Sequence, residues 1–162
     1  MARKPPARAS LDQFDRAILR ILQTDNKTPQ RAIAESVNLS TAAVQRRVAA
    51  LEAAGVIARN VAVVDPDAVG MSITAIVEVY LRDERSATVD AAKATFRKTP
   101  EVQQCFYVTG GTSFVLIVVT RDMRSYETFT RKVFEDNDSV NNYRTLVVID
   151  RVKTDTQIPI ED

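Results

Sequence analysis

Apolar positions in the first sixty residues recur at helical spacing. Leu11, Phe14, Ile18, Ile21 and Leu22 share one face, with Asp12, Asp15 and Arg16 off it. This predicts a first helix, opened by Ser10 as its cap with Gln13 three residues on. Asp25-Asn26-Lys27 breaks the pattern. Thr28 then caps a second helix with Pro29 at its first position, where a missing N–H costs nothing. Ile33 and Val37 form its apolar face, with Ala34 allowing close packing. Asn38-Leu39 makes a turn, and Ser40 caps a third helix. Val44, Val48 and Leu51 point inward along it, and Gly55 ends it in a left-handed conformation. Thr41, Ala42, Gln45, Arg46 and Ala49 are left on the outer face.

Beyond Gly55 the period changes. Val56 and Ile57 close the small core, Arg59 to Val64 reads as a short strand, and Asp65-Pro66-Asp67 turns the chain. Strands are predicted over residues 73–82, 102–109, 114–120 and 140–152, with Gly110-Gly111 as the turn between the second and third. Helices are predicted over residues 87–98 and 123–135. Val89, Ala92 and Phe96 face inward on one, and Tyr126, Phe129 and Val133 on the other. The β-α-β-β-α-β order is the ferredoxin-like split βαβ pattern. The fold class is α+β: a flexible basic arm over residues 1–9, a helix-turn-helix domain over 10–58, a linker strand and turn over 59–72, and an αβ domain over 73–162. Both helices of the αβ domain should cover one face of its sheet. Strands this rich in Val, Ile and Leu seldom leave the other face in water, so sheet-to-sheet pairing in a homodimer is expected.

Charge sharpens this division. Residues 1–60 hold 10 Lys/Arg and 5 Asp/Glu, a net +5, while residues 61–162 hold 12 and 16, a net −4. A positive half joined to a negative one suits nucleic-acid binding coupled to a second task. The chain has no histidine and one cysteine. That removes the Ser-His-Asp and Cys-His constellations and any intrachain disulfide. No metal site and no cofactor is expected, and Cys105 reads as a small core or semi-buried filler. No apolar run approaches the roughly 18 residues of a membrane span, so a cytoplasmic, nucleoid-associated location is expected.

Three helices with a short turn before the third make a helix-turn-helix unit, whose last helix offers its N-terminal turns to base edges of double-stranded DNA. Ser40, Thr41, Ala42, Gln45, Arg46 and Arg47 are the candidate DNA-binding residues. Gln45 can pair with adenine and Arg46 with guanine or phosphate. Thr41 and the N–H groups beside Ser40 suit phosphate. Arg47 lies nearer the buried stripe, where a DNA contact and a solvated face fit equally. The second candidate site is the loop Thr109-Gly110-Gly111-Thr112-Ser113. Two glycines let N–H groups converge on a carboxylate, and three hydroxyls add hydrogen-bonding capacity. A plain hairpin turn fits the same residues.

These motifs, in this order, resemble the Lrp/AsnC (feast/famine) regulators over roughly residues 10–160. The matching positions include Leu11-Asp12, Asp15, Leu39-Ser40, Arg47-Val48, Leu51-Glu52 and Gly55. Further on they include Glu101-Val102, Cys105, Val108-Thr109-Gly110, Tyr126, Val152-Lys153 and Ile158-Pro159-Ile160. The resemblance implies a winged-type helix-turn-helix domain, an αβ effector domain of the RAM type, homodimers assembling to tetramers or octamers, and a small-molecule effector, an amino acid or related metabolite, bound between dimers. It implies a transcription regulator of amino-acid metabolism and no enzyme. Sirohaem decarboxylases use the same fold catalytically, but they rely on histidine. The effector loop of such proteins usually reads Gly-x-x-Asp-Tyr/Phe. Here Gly110 and Phe114 fit, but Ser113 stands at the Asp position and cannot supply a carboxylate for an ammonium. Asp138-Ser139 likewise replaces a common Pro-Gly. An effector-independent architectural protein that bends or wraps DNA is the alternative expectation.

Overall fold

The computed structural model describes residues 10–161. The basic arm expected over residues 1–9 lies outside them. The chain divides into two units, residues 10–62 with 153–161, and residues 63–152.

The first unit is a three-helix head: α1 Gln13–Thr24, α2 Gln30–Val37 and α3 Thr41–Ala53. Ile18, Ile33, Ala34, Val37 and Val44 form its core, with Ile21, Leu22, Leu39 and Val48 packed against them. Two caps differ from expectation. Asp12, not Ser10, opens α1: its carboxylate accepts from the Asp15 N–H at 2.9 Å, and the Asp15 carboxylate accepts from the Asp12 N–H at 3.3 Å. Two anionic acceptors at the positive end of a helix are stronger caps than Ser10 and Gln13. At α2 the cap position falls on Pro29, and the Thr28 hydroxyl donates to the Asp25 carbonyl at 2.8 Å.

The linker is not a strand. Residues 58–65 join no ladder, and Val61, Val63 and Val64 are exposed. A strand needs a neighbouring edge to satisfy its backbone groups, and no described residue of this chain supplies one. The described residues of the head likewise form no β-wing. The C-terminal tail also departs from the expected boundary. Gln23 donates to the Ile158 carbonyl at 3.0 Å and accepts from the Ile158 N–H at 3.1 Å. Arg20 donates to the Ile160 carbonyl at 3.0 Å and Arg16 to that of Glu161 at 3.1 Å. Residues 153–161 therefore belong to the head, held along α1 mainly by their carbonyls.

The second unit holds an antiparallel sheet in the order β2-β3-β1-β4, built from β1 Ile73–Leu81, β2 Val102–Tyr107, β3 Phe114–Thr120 and β4 Val140–Val147. Two helices, α4 Ser86–Lys98 and α5 Met123–Thr130, pack on it. Side chains alternate across a strand, so Ala75, Val77, Val79 and Leu81 of β1 and Phe114, Leu116 and Val118 of β3 face the helices and are buried. Phe96 of α4 is fully buried, edge-on to Phe114 at 5.2 Å and Phe134 at 6.2 Å between ring centroids. A π-helical turn at Arg131–Glu135 continues α5. Its wider turn carries the adjacent Val133 and Phe134 both into the core.

The last strand is shorter than expected. Its partner β1 begins at Ile73, so the ladder ends at Ala75↔Val147 and a final bond from the Val148 N–H to the Thr74 carbonyl. Cys105 also corrects the sequence reading: it is exposed, because β2 is the sheet's edge. It lines a cavity of about 360 Å³ with Lys93, Arg97 and Gln103. Partial desolvation raises its thiol pKa, against the lowering effects of Arg97 and Lys93.

The opposite face of the sheet carries no covering element among the described residues. Ile76 sits across from Ile117 on one side and Leu146 on the other, and Val115 across from Phe106. Phe106 and Leu146 are exposed, and Ile76, Val115 and Ile117 half-buried.

Replacing Phe96 by alanine opens a hole beside the Phe114 and Phe134 rings. We expect F96A to destabilise the second unit by about 3–5 kcal/mol, measured by urea unfolding. A loss below about 1 kcal/mol, inside the range of ordinary surface changes, would refute the central place given to this ring.

Candidate DNA-reading surface and effector loop

The third helix is presented by its neighbours. Asn38 ends α2 in the left-handed region (φ 54°), which asparagine tolerates better than most residues. Leu39 turns toward the core, and the Ser40 hydroxyl accepts from the Ala43 N–H at 3.2 Å. At the other end Gly55 has φ 72°. Its N–H donates to the Glu52 carbonyl and that of Val56 to the Leu51 carbonyl, each at 2.9 Å. This pairing closes the helix as a Schellman motif. With Val44 and Leu51 buried, Ser40, Thr41, Ala42, Gln45 and Arg46 lie exposed over the first turns of α3. The Gln45 and Arg46 side chains have no partner among the described residues.

Arg47 is placed differently from its neighbour. Its Nη1 lies 2.7 Å from the Asp15 carboxylate and 2.8 Å from that of Asp12. Its guanidinium also stands over the Phe14 ring, 5.4 Å from the centroid. It therefore ties α3 to the capped start of α1, and its donors are turned to the head itself. Hydrogen bonds to Asp15 and then Asp12 raise the Arg47 pKa. The Asp15 N–H, followed by the Arg47 guanidinium, holds Asp12 below the usual carboxylate range against partial desolvation. The spacing Asp12-x-x-Asp15 was the signal for this cap, but nothing local in sequence links it to Arg47, 35 residues away.

In the second unit the residues Thr109 to Ser113 join β2 to β3. Gly110 and Gly111 have φ 109° and 99°, conformations that side chains strain to adopt, and a Cβ at either would meet nothing within 4 Å. The N–H groups of Gly110, Gly111 and Thr112 have no acceptor among the described residues. The three hydroxyls fare unequally. Thr109 is exposed, while Thr112 Oγ1 is buried without a partner. Ser113 is buried and already engaged. Its Oγ accepts from the Leu81 N–H at 3.0 Å and donates to the Glu84 carboxylate.

Glu84 is the residue that sequence reading missed. It lies 29 positions from Ser113, in the segment between β1 and α4. Val79 of β1 pairs with Phe114 of β3, so the end of one strand lies beside the start of the other and their loops meet. The Tyr107 hydroxyl donates to the second Glu84 oxygen at 2.9 Å, which raises the tyrosine's pKa. Lys93 stands over the Tyr107 ring at 4.7 Å. A carboxylate is thus present beside the loop after all, supplied from another strand.

Ionised Asp12 adds stability to the head that is complete above the ordinary aspartate pKa of about 4. That stability is lost as pH falls through the lower folded-state value, where Asp12 takes up a proton. Arg47→Ala should therefore destabilise the head at neutral pH, and the gap to wild type should close below about pH 4. Thermal midpoints across pH read this directly. A gap of constant size from neutral to acid pH would show that the contact with Asp12 and Asp15 carries no weight.

Comparison with known proteins agrees with both halves. Residues 11–52 match the AsnC-type helix-turn-helix domain, and residues 74–158 match the Lrp/AsnC ligand binding domain. A Sinorhizobium fredii HTH-type transcriptional regulator is 44% identical over 151 residues, covering 93% of this chain and 89% of its own. The leucine-responsive regulatory protein of Rhizobium meliloti is 32% identical, with 94% and 98% covered. A Neisseria meningitidis transcriptional regulator, solved as its complex with L-Met, superposes with a TM-score of 0.87 at 29% identity, covering 93% of this chain and 97% of its own. No helix among the described residues is long and apolar enough to cross a membrane. With a family match in each unit and relatives spanning nearly its whole length, this chain belongs to the Lrp/AsnC family of DNA-binding transcriptional regulators.

Proposed function

We propose that this protein is a sequence-specific regulator of amino-acid metabolism that reads DNA through the first turns of α3 and answers to a small effector. The observation that carries the DNA reading is the contrast between two adjacent arginines. Arg47 is spent on holding α3 to α1, while Arg46 and Gln45 stand exposed with no internal partner. A cation and an amide left free at the start of a capped helix are suited to guanine or phosphate and to adenine. Ser40 and Thr41 add donors for phosphate, and Ala42 allows close approach of the helix to the groove.

The apolar outer face of the sheet supports homodimerisation. Ile117, Ile76 and Leu146 lie in one register row across β3, β1 and β4, and Phe106 and Val115 lie in a neighbouring row that runs on to the Glu78–Arg144 ion pair. Two-fold pairing through this face gives two reading heads, as recognition of paired half-sites requires. Further assembly to tetramers or octamers would bring effector loops of different dimers together. A ligand held there shifts the assembly only if it binds one arrangement more tightly than another. The ligand-binding domain match and the L-Met complex of a structural relative support an amino acid as effector.

Arg46→Ala should weaken binding to a selected DNA fragment by about 1–3 kcal/mol and lower the salt slope by about one phosphate contact. Gln45→Ala should instead relax preference at one base pair. Fluorescence anisotropy at several salt concentrations separates the two. Unchanged affinity and slope in R46A would remove Arg46 from the interface. A wild-type protein that binds all fragments alike, with a steep salt slope, would be an effector-independent architectural protein instead.

A further inference from the structure

We propose that Glu84, brought to the loop from the segment between β1 and α4, is the residue of this chain that pairs with the effector's ammonium. The inference rests on the effector reading above and says which residue selects the ligand's ammonium. Ser113 is a neutral hydroxyl where a carboxylate would be needed to pair with an ammonium. In this chain that hydroxyl is turned to a different use. It is buried, anchored by the Leu81 N–H, and aimed at one oxygen of Glu84. The Tyr107 hydroxyl holds the other oxygen at 2.9 Å. A carboxylate that accepts from two fixed hydroxyls is oriented, and its remaining lone pairs are open to a further donor.

Two independent features favour a ligand at this place. Glu84 is exposed and forms no ion pair with a basic side chain among the described residues, so its carboxylate is open to a cation from solvent. The Thr112 hydroxyl oxygen in the adjoining loop is fully buried without a hydrogen-bond partner, a cost that a bound polar group would remove. The free N–H groups of Gly110, Gly111 and Thr112 provide donors for an anion in the same loop. An α-amino acid carries its ammonium and carboxylate on one carbon. It is the small molecule that uses a fixed carboxylate and a turn of free N–H groups together. The corresponding 2-keto acid keeps the anion and has nothing for Glu84.

The test is Glu84→Gln, which keeps the shape and removes the charge: its amide oxygen accepts from one of the two hydroxyls, and its NH2 donates to the other. Thermal midpoints of full-length protein are measured against the proteinogenic L-amino acids, singly, and against their 2-keto acids. Wild type should be stabilised by at least one amino acid, and E84Q should bind that amino acid about tenfold to a hundredfold more weakly, the weight of a charged hydrogen bond. Affinity for a 2-keto acid should not change between the two. The double variant S113D/E84Q, which moves the charge back to the loop, should recover amino-acid binding. If E84Q binds the amino acid as well as wild type does, Glu84 is not the ammonium partner, although the protein still has an effector. If E84Q loses amino acid and keto acid alike, its role is only to hold the loop, and the proposal fails. If no amino acid stabilises wild type, the effector reading and this proposal fall together.

Discussion

Each element of this protein has one apolar face that it must bury, and the chemistry lies on what that burial leaves over. In the head the stripe of Val44 and Leu51 turns α3 inward and so leaves Gln45 and Arg46 outside. In the sheet the period of two sends Val77, Val79, Leu116 and Val118 to the helices and leaves a second apolar face without cover. That constraint fixes which side chains each unit leaves exposed. It needs no special device, since burial of roughly 25 cal/mol per Å² of apolar surface outweighs the modest preferences of individual polar side chains.

Charge then refines what burial has placed. The clearest case is the pair Arg46-Arg47. Neighbours on a helix point about 100° apart, so one guanidinium reaches back to Asp12 and Asp15 while the other is left free. The first acts as a brace between α3 and the start of α1. The second unit repeats the logic with a carboxylate. Glu84 is steered by Ser113 and Tyr107 rather than by a cation, so its charge stays available. In both places an exposed charged group stands beside a residue whose own bonds are internal.

Most of the fold was legible in the sequence because it follows from periodicity. The apolar run Phe114–Thr120 coincides with β3, and Ser40 and Gly55 mark the start and end of α3. What was not legible depends on contacts distant along the chain. Arg47 meets Asp12 and Asp15 across the head, Glu84 meets Ser113 across two strands, and the C-terminal tail meets α1 from 135 or more positions away. Apolar spacing is blind to such pairs. The linker misled for a related reason: alternating valines look like a strand, but a strand exists only where another edge receives it. The cap of α1 misled because two capping boxes overlap there, and the charged one wins.

The central claim is that paired heads read DNA sequence through the free face of α3. Its most direct test is hydroxyl-radical footprinting of the wild-type protein on fragments selected from random DNA. The account predicts an enriched motif and protected segments on one face of the duplex, spaced by a whole number of turns of about 34 Å. No enriched motif, with uniform protection along every fragment, would contradict it.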